Sequence, residues 1–376
     1  MKVAGIIAEC NPLHEGHRYL IREARERTGA DYVVIAMSGD YVQRGAPSIL
    51  SREERAAALL SDGADLVLQL PLYVSCSGAD YFARGAVALL DSLGVVSDLV
   101  FGSESGDLVA LEEAARKLSE EDDVYRASLR EALRSGMTFA QARSSASGHL
   151  LPYTPNDLLG TEYLTALSAS SGRIRPHAVL RTPCRSASEI REEFLRTRQN
   201  TDPYMCRDDL SDLLLHSLCA ADSADDLCRF LDVSYDLAGR ILRELPFFSD
   251  FSSFCGSVKT RNYTYTRVSR ALLHILLGMT SKTMEHFDLG YGLCGWIRPI
   301  GFKKSAGPLL HAVAASSRVP FLDKLSRAGQ LLPGDLYPIL REELRAEFLY
   351  DLMAAKRTGR SGDGVPSAFS KPLILS

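Results

Sequence analysis

The chain has 376 residues, of which 46% are hydrophobic and 24% are charged, a balance typical of globular proteins that bury a core rather than of disordered chains. This length predicts two domains. The 43 Lys and Arg against 47 Asp and Glu give a formal charge of -4, which excludes a uniformly basic coat for nucleic acid.

The chain carries no signal for a membrane, for export or for disulfides. Its apolar runs all fall short of the roughly 18 residues that span a bilayer, and its start has no cleavage-site pattern. Eight cysteines are scattered without a Cys-x-x-Cys pair, which predicts reduced thiols and no metal site. We therefore expect a cytoplasmic protein without a membrane partner.

In the first 200 residues, short β-branched runs alternate with amphipathic stretches, a pattern typical of βαβ units and a parallel sheet. The predicted strands are Val3–Ala8, Tyr32–Met37, Leu66–Leu70, Leu99–Phe101 and Pro176–Leu180. The predicted helices are Gly16–Arg27, Arg52–Leu60, Ala79–Leu90, Leu108–Leu118, further helices over 123–170, and Ala187–Arg196. Ser51 and Glu54 have the capping-box spacing, which sets the start of the second helix.

Beyond Pro203 the character of the chain changes, because Leu-rich helical stretches follow one another. These predicted helices are Leu210–Ala220, Ala224–Leu231, Tyr235–Leu245 and Arg267–Leu277. We predict an α/β domain over 1–200 with a Rossmann-like, doubly wound parallel sheet, followed by a mainly α-helical domain over 201–376. The Gly-rich, charged run 357–364 predicts a loop or tail.

Charge is distributed unevenly along the chain. Residues 104–123 hold eight acids against two bases, whereas residues 251–310 hold eight bases against two acids. In the second segment the bases alternate with Tyr263, Tyr265, Phe287, Tyr291, Trp296 and Phe302. Phosphate attraction combined with base stacking requires such a mixture, which favours RNA contact. The alternative is an Arg-rich helix surface that serves solubility alone.

The strongest local motif is the run Asn11–His17, at the carboxyl end of the first predicted strand, where open α/β sheets bind ligands. Gly16 lets the backbone approach a phosphate, and free N–H groups of the helix start and the helix dipole favour an anion. His14 and His17 would share one helical face and donate to the same phosphate oxygens. The alternative is a pair of capping or exposed histidines.

Two common nucleotide motifs do not mark the predicted α/β domain: G-x-x-x-x-G-K-[ST] is missing from the chain, and G-x-G-x-x-G is missing from residues 1–200. Their absence argues against P-loop kinases and dinucleotide-dependent dehydrogenases. The motif therefore predicts a nucleotide that is cleaved at its α-phosphate rather than at its γ-phosphate.

His-x-Gly-His resembles the nucleotidylyltransferase signature of the HUP superfamily, and an ordered set of blocks narrows the resemblance. The blocks are Ile7–His17, Met37–Gly45, Gly63–Pro71, Phe101–Glu104, Pro155–Tyr163, Ser186–Arg191, Tyr263–Arg270 and Arg298–Phe302. Together they resemble the tRNA(Met) cytidine acetate ligase family over nearly the whole chain. The departures are Cys10 and Leu13, where the family commonly has aromatic residues, and Glu189, whose carboxylate would repel a triphosphate unless it faces solvent or a metal.

The resemblance implies a set of ATP-binding residues, among which His14 and His17 would be catalytic. The set is Ile7, Ala8, Glu9, Cys10, Asn11, Pro12, Leu13, His14, Glu15, Gly16, His17, Arg18, Tyr19, Leu20, Gly102, Asn156, Arg181, Ser188 and Arg191. Other interpretations stay open: a strand-end turn for Gly102, a helix N-cap for Asn156, and solvated surface charge for Arg181 and Arg191. Gln43 and Arg44 contact nucleotide or RNA, or lie in a plain loop.

The resemblance further implies that acetate attacks the α-phosphorus of ATP, which is expected with Mg²⁺, and forms acetyl-adenylate. The acetyl group then passes to N4 of the wobble cytidine of elongator tRNA(Met), and no DNA is involved. The expected tRNA-binding residues are Lys259, Arg261, Arg267, Arg270, Lys303 and Lys304. Two alternatives remain: a nucleotidylyltransferase for a phosphorylated cofactor precursor, and an RNA-binding module that only senses ATP.

Overall fold

The structure is a computed structural model that describes residues 1–119, 127–128, 131–132, 142, 145, 154–359 and 372–375. Its strands are β1 (Val3–Ala8), β2 (Tyr32–Ser38), β3 (Tyr41–Val42), β4 (Ala46–Pro47), β5 (Leu66–Leu70), β6 (Asp98–Ser103), β7 (Arg175–Leu180), β8 (Pro299–Lys303) and β9 (Leu373–Leu375). All five predicted strands are present, with ends that agree within two residues.

The first half of the described chain contains helices α1 (Glu15–Thr28), α2 (Arg52–Ser61), α3 (Leu72–Ser75), α4 (Ala79–Ser92), α5 (Leu108–Ser119), α6 (Pro155–Ser168) and α7 (Ala187–Thr197). The second half contains α8 (Ser211–Cys219), α9 (Ala224–Cys228), α10 (Tyr235–Glu244), α11 (Phe251–Val258), α12 (Tyr265–Leu277), α13 (Ser281–Tyr291), α14 (Gly307–Ser316), α15 (Ala328–Leu331) and α16 (Tyr337–Thr358).

The central sheet has the strand order β7-β6-β1-β2-β5-β8-β9. The first five strands in this order run parallel to one another. Helices α1 and α2 bury Ile21 and Leu59 against one face of the sheet, whereas α4 and α6 bury Leu90 and Tyr163 on the other. Because helices cover both faces, the fold is the predicted doubly wound α/β architecture.

Two strands that the sequence did not predict extend the sheet from the second half of the chain. β8 pairs antiparallel with β5, and β9 pairs parallel with β8. β8 contains Pro299 and Gly301, residues that are depleted in strands. Its assignment therefore depends on tertiary pairing rather than on local pattern.

Helix α16 is fastened to the sheet by buried charged groups. Glu343 accepts a hydrogen bond from Gln69 Nε2 at 3.1 Å and another from the backbone N–H of Leu72 at 2.9 Å. Arg298, just before β8, donates to Glu347 Oε2 at 2.9 Å. Charges are tolerated in an interior only when they are paired in this way, so the carboxyl end of β5 and this helix are held in one arrangement.

One predicted helix of the second half ends earlier than expected. The predicted helix 224–231 stops at Cys228, because Phe230 forms an isolated bridge with Thr280 and Asp232 adopts a positive φ of 65°. Most of the predicted helical region 123–153, and residues 360–364 of the predicted loop, lie outside the described residues. None of the described helices is long and apolar enough to cross a membrane.

Buried side chains from the sheet and from the helical half belong to one continuous hydrophobic cluster. Leu70 and Leu99 of the sheet and Leu214 and Leu272 of the helices are among its members. The division into domains at residue 200 stays a prediction.

Candidate nucleotide-binding site

A cavity of about 430 Å³ opens at the carboxyl edge of the parallel strands, a volume in the range of small-molecule sites. Ala8 of β1, Gly102 of β6 and Leu180 of β7 mark this edge. The predicted ATP-binding residues that line it are Ile7, Ala8, Glu9, Cys10, Asn11, His14, Gly16, His17, Tyr19, Leu20, Gly102, Asn156, Arg181, Ser188 and Arg191. The structure therefore brings most of the predicted set together.

Four members of the predicted set are not among the lining residues, namely Pro12, Leu13, Glu15 and Arg18. Glu15 and Arg18 pair with each other at 2.7 Å on the outer surface of α1. Arg18 also contacts Asp62 at 2.8 Å. Both side chains therefore form ion pairs on the surface of α1 and do not line the cavity.

His14 and His17 form a reciprocal cap at the start of α1. His14 is the N-cap residue, and its Nδ1 accepts the backbone N–H of Gly16 at 3.0 Å. His17 Nδ1 accepts the backbone N–H of His14 at 3.3 Å. The proton of each neutral ring is therefore on Nε2, so each imidazole keeps one donor that the cap does not use.

This cap corrects the expectation of free N–H groups at the helix start. The N–H of Gly16 is accepted by the His14 ring, and those of His17 and Arg18 are accepted by the His14 carbonyl at 2.9 and 3.3 Å. Because His14 precedes the helix, the two histidines meet across the cap rather than along one helical face, with ring centroids 4.0 Å apart. The capping role and the donor role therefore coexist.

Both imidazoles are held in the neutral form. Burial, followed by the nearby Arg181 charge, lowers the pKa of His14. Burial, followed by the neighbouring His14, lowers the pKa of His17 to about 3. At neutral pH the pair therefore offers two hydrogen-bond donors without adding positive charge.

Gly16 is required by the close approach of the His14 ring. A Cβ at this position would lie 2.9 Å from His14 Cε1 and 3.2 Å from the Sγ of Cys184. A side chain here would displace the imidazole that caps the helix. The glycine of the motif therefore leaves the space that the His14 ring occupies.

The Asn156 side chain does not cap its helix. Helix α6 begins at Pro155 with Thr154 as its N-cap residue, so the N-cap interpretation of Asn156 was wrong. Its Nδ2 instead donates to Glu104 Oε1 at 2.6 Å, while Glu104 Oε2 accepts the backbone N–H of Asp157 at 2.9 Å. Arg181 also contacts Glu104, at 3.2 Å.

Arg191, on α7, also lines the cavity. It donates to the backbone carbonyl of Asn11 and to Ser188 Oγ at 2.9 Å, so it braces the turn that leads into α1. Glu189 is exposed and closes a capping box with Ser186 at the start of the same helix. Its carboxylate therefore serves the helix end and does not face the cavity.

The loop between β2 and α2 adds Gln43 and Arg44 to the cavity wall, which supports the contact interpretation over a plain loop. An apolar wall completes the site and was missed by sequence reasoning, and its members are Phe82, Phe101, Leu159 and Tyr163. These side chains come from α4, β6 and α6, and the sequence pattern around them is that of ordinary core residues. Only the tertiary fold identifies them.

Cys10, which directly precedes the motif in sequence, is not a nucleophile. It is 1% exposed, and burial raises the pKa of its thiol to about 12. Because the thiolate is the reactive form, this residue has a packing role.

Helix α12 lies directly against the loop that carries Gln43 and Arg44. A Cβ on Gly45 would lie 2.3 Å from the backbone nitrogen of Arg270. Arg207 ties the two together, since it donates to the carbonyl of Arg44 at 2.9 Å and to Ser269 Oγ at 2.7 Å. The mouth of the cavity and the basic helix α12 are therefore neighbours.

The structure places the predicted tRNA-binding residues on separate parts of the molecule. Lys259, Arg261 and Arg267 are exposed at or just before the start of α12, and the Arg267 guanidinium lies 4.9 Å from the ring centre of Tyr263. Arg270 is largely buried and pairs with Asp232 at 3.2 Å. Lys303 and Lys304 lie at the opposite edge of the sheet, because the Lys303 N–H donates to the Asp65 carbonyl just before β5.

Two of the aromatic residues expected to stack on RNA bases are core residues instead. Phe287 and Trp296 are 0% and 1% exposed. Their rings stack on each other with centroids 5.5 Å apart. The expectation was wrong for these two because alternation of aromatic and basic residues does not distinguish a surface from an amphipathic core.

Comparison with known proteins agrees with this geometry. A family model described as HIGH Nucleotidyl Transferase matches residues 1–196 and 183–363. The tRNA(Met) cytidine acetate ligase of Acetivibrio thermocellus is 33% identical, and the alignment covers 93% of each chain. That of a Thermoanaerobacter species is 31% identical over 94% of this chain and 95% of the relative. A crystal structure of Thermotoga maritima TmcAL bound with alpha-thio ATP covers 100% of both chains with a TM-score of 0.89 and 26% identity.

Proposed function

The chain belongs to the tRNA(Met) cytidine acetate ligase family, and we propose that its cavity activates acetate with ATP and transfers the acetyl group to a tRNA cytidine. The observation that carries the proposal is the paired cap of His14 and His17 at the carboxyl edge of the sheet. The named relatives favour this ligase over a nucleotidylyltransferase for a cofactor precursor. In this proposal residues 1–200 bind the nucleotide and residues 201–376 contribute most of the tRNA surface.

In the first step, an acetate oxygen attacks the α-phosphorus of ATP in line and pyrophosphate leaves. The Nε2–H groups of His14 and His17 donate to the phosphate oxygens, where negative charge develops in the transition state. Neutral donors suit this task because their hydrogen bonds strengthen as that charge grows. Arg181 and Arg191, which both line the cavity, supply the positive charge that holds the outer phosphates.

In the second step, the exocyclic amine of the wobble cytidine of elongator tRNA(Met) attacks the acyl carbon and AMP leaves. The tRNA would approach from the side of α12, because Arg207 joins this helix to the loop at the cavity mouth. Lys259, Arg261 and Arg267 are exposed along this approach and would contact tRNA phosphates. Arg270 would contribute less to tRNA binding, because it already pairs with Asp232.

Magnesium enters the proposal as an ion carried by the nucleotide. In the described part of the chain, no group of three His, Cys, Asp or Glu side chains is placed to hold a metal ion. Mg²⁺ is commonly bound by substrate phosphates, waters and at most one or two carboxylates, and this donor set fits that case. When bound, the ion would neutralise charge on the triphosphate.

Exchange of labelled pyrophosphate into ATP tests the function. Acetate-dependent exchange is expected, because the formation of acetyl-adenylate is reversible. Exchange without acetate would contradict the ligase, and acetate-dependent exchange would exclude an ATP sensor. Mass analysis of nucleosides from treated tRNA would then identify N4-acetylcytidine.

A further inference from the structure

One carboxyl group in the cavity has no task in adenylate formation. Acetate is an anion at neutral pH and attacks the α-phosphorus without losing a proton, so the first step needs no base. The second step does need one, because the attacking amine of cytidine must lose a proton as the new bond forms. The site therefore requires a proton acceptor near the acyl group.

Glu9 is placed to be that acceptor. It follows the carboxyl end of β1, and among the described residues that line the cavity it is the only acid. Its Oε1 accepts the backbone N–H of Gln43 at 2.9 Å, which holds the carboxyl where β1 meets the loop after β2. Glu104, beside the cavity, is engaged by Asn156 and by the backbone of α6.

Gln43 adds a hydrogen-bond donor next to this carboxyl. The residue lines the same cavity, and its Nε2 atom is buried with no hydrogen-bond partner among the residues that the structure describes. A buried donor without an acceptor is costly, so a ligand oxygen at this position would be bound favourably. The acyl oxygen is such an acceptor, since it gains negative charge when an amine attacks the acyl carbon.

The surroundings of Glu9 suit a base. Burial raises the pKa of its carboxyl, and the arginines Arg44, Arg191 and Arg55 oppose this shift without cancelling it. A base works best when its pKa approaches the working pH. The same arginines keep the neighbourhood electropositive, which favours a phosphate-bearing substrate.

We propose that Glu9 is the general base of acetyl transfer and that Gln43 Nε2 donates to the acyl oxygen in that step, an inference that rests on the proposed function. The N4 lone pair of cytidine forms a bond to the acyl carbon, and one N4 proton passes to the Glu9 carboxylate. The bond between the acyl carbon and the phosphate oxygen breaks, and AMP leaves with that electron pair. The proton then passes from Glu9 to solvent.

Glu9→Gln in the full chain tests the assignment, because glutamine keeps an oxygen that can accept the Gln43 N–H and loses only the basic function. Pyrophosphate exchange reports adenylate formation, and single-turnover transfer of labelled acetyl to a tRNA(Met) transcript reports the second step. We expect exchange within about threefold of wild type and transfer slower by about 10²–10⁴-fold. Glu112→Gln, on the exposed surface of α5, is the matched control and should change neither.

Hydroxylamine gives an independent readout of the intermediate. It attacks acetyl-adenylate without help from a base, so the Glu9→Gln variant should form acetohydroxamate at the wild-type rate. Gln43→Leu should slow transfer to tRNA by about 10²-fold, and its thermal unfolding should confirm that it is folded.

A parallel loss of exchange and transfer in Glu9→Gln would assign this residue to nucleotide binding and would overturn the inference. Transfer at the wild-type rate would overturn it as well. Failure of the proposed function is distinguishable from both results, because the wild-type chain would then show no acetate-dependent exchange.

Discussion

The ring of His17 accepts the backbone N–H of His14 through Nδ1 at 3.3 Å, and the two ring centroids lie 4.0 Å apart. One hydrogen bond thus sets the tautomer of His17 and helps to fix the first turn of α1. The capping function and the proposed chemistry use different nitrogens of the same rings. Substitutions can therefore separate the two.

His14→Asn should remove the Nε2–H donor to the phosphate and keep the helix cap. Asn is among the preferred N-cap residues, so we expect the free energy of unfolding to stay within about 0.5 kcal/mol of the wild-type value. Loss of the Nε2 donor should slow acetate-dependent pyrophosphate exchange by about 10²–10³-fold. His216→Asn, on the exposed side of α8, serves as the control. An unchanged exchange rate in His14→Asn would limit His14 to capping.

The pH dependence of stability should reflect His17. Its pKa of about 3 in the folded chain lies below the value near 6.5 of an unfolded histidine. Between these values the unfolded state binds more protons, so stability falls as pH falls, by up to about 1.4 kcal/mol per pH unit from this group. The contribution is complete above pH 6.5.

Urea unfolding at pH 7 and pH 5 measures this effect, and His17→Asn should lose less stability over that interval than the wild-type chain. His274, which is also buried with a lowered pKa, is present in both proteins and does not affect the difference. Equal losses would contradict a neutral, buried His17.

Gly45→Ala should disturb both the fold and the site. Gly45 has a φ of +66°, and an added Cβ would lie 2.3 Å from Arg270 N. A left-handed conformation alone costs a residue with a side chain about 1–2 kcal/mol, and the overlap with α12 adds to it. We expect lower thermal stability and slower acetyl transfer, because the loop carries Gln43 and Arg44.

Gly239→Ala is the matched control for that substitution. Gly239 lies within α10, and apart from its chain neighbours and the backbone of its own helix, no atom of the described residues lies within 4 Å of an added Cβ. Alanine at a helix-interior position is expected to stabilise by about 0.5–1 kcal/mol. If Gly45→Ala were as stable as wild type, the tight contact between the loop and α12 would be refuted.

Arg267→Ala should weaken tRNA binding and leave pyrophosphate exchange unchanged. Removal of one phosphate contact is expected to lower the slope of log affinity against log salt by about 1. Lys304→Ala is the control, because Lys304 lies at the far edge of the sheet. Titration of labelled tRNA at several salt concentrations gives both slopes. Equal slopes for Arg267→Ala and wild type would remove α12 from the tRNA surface.

The sequence predicted the parallel core of the fold well, because strands such as Val3–Ala8 and Leu66–Leu70 are apolar runs between clear breaks. It missed β8, whose Pro299 and Gly301 obscure any strand pattern. It also missed the interior contacts of α16, since Glu343 and Glu347 resemble surface residues until Arg298 and Gln69 are brought to them. Pairing across long sequence separations cannot be deduced from local pattern.

At the site, motif and position at a strand end were sufficient to predict His14, Gly16 and His17. The protonation of the rings was not predictable, because it depends on which nitrogen accepts a backbone N–H. Likewise, the separation of Arg267 from Lys303 follows from the antiparallel course of β8. The sequence therefore predicted which basic residues could bind phosphate, but it did not predict on which side of the molecule each one lies.

The central claim is that an acetate oxygen attacks the α-phosphorus of ATP before the acetyl group reaches tRNA. Incubation of the full chain with ATP, tRNA(Met) and acetate labelled with ¹⁸O at both oxygens, followed by mass spectrometry of the products, tests it most directly. We expect one ¹⁸O atom in AMP and one in the acetyl group on cytidine. Label in inorganic phosphate together with ADP, or AMP without label, would contradict the account.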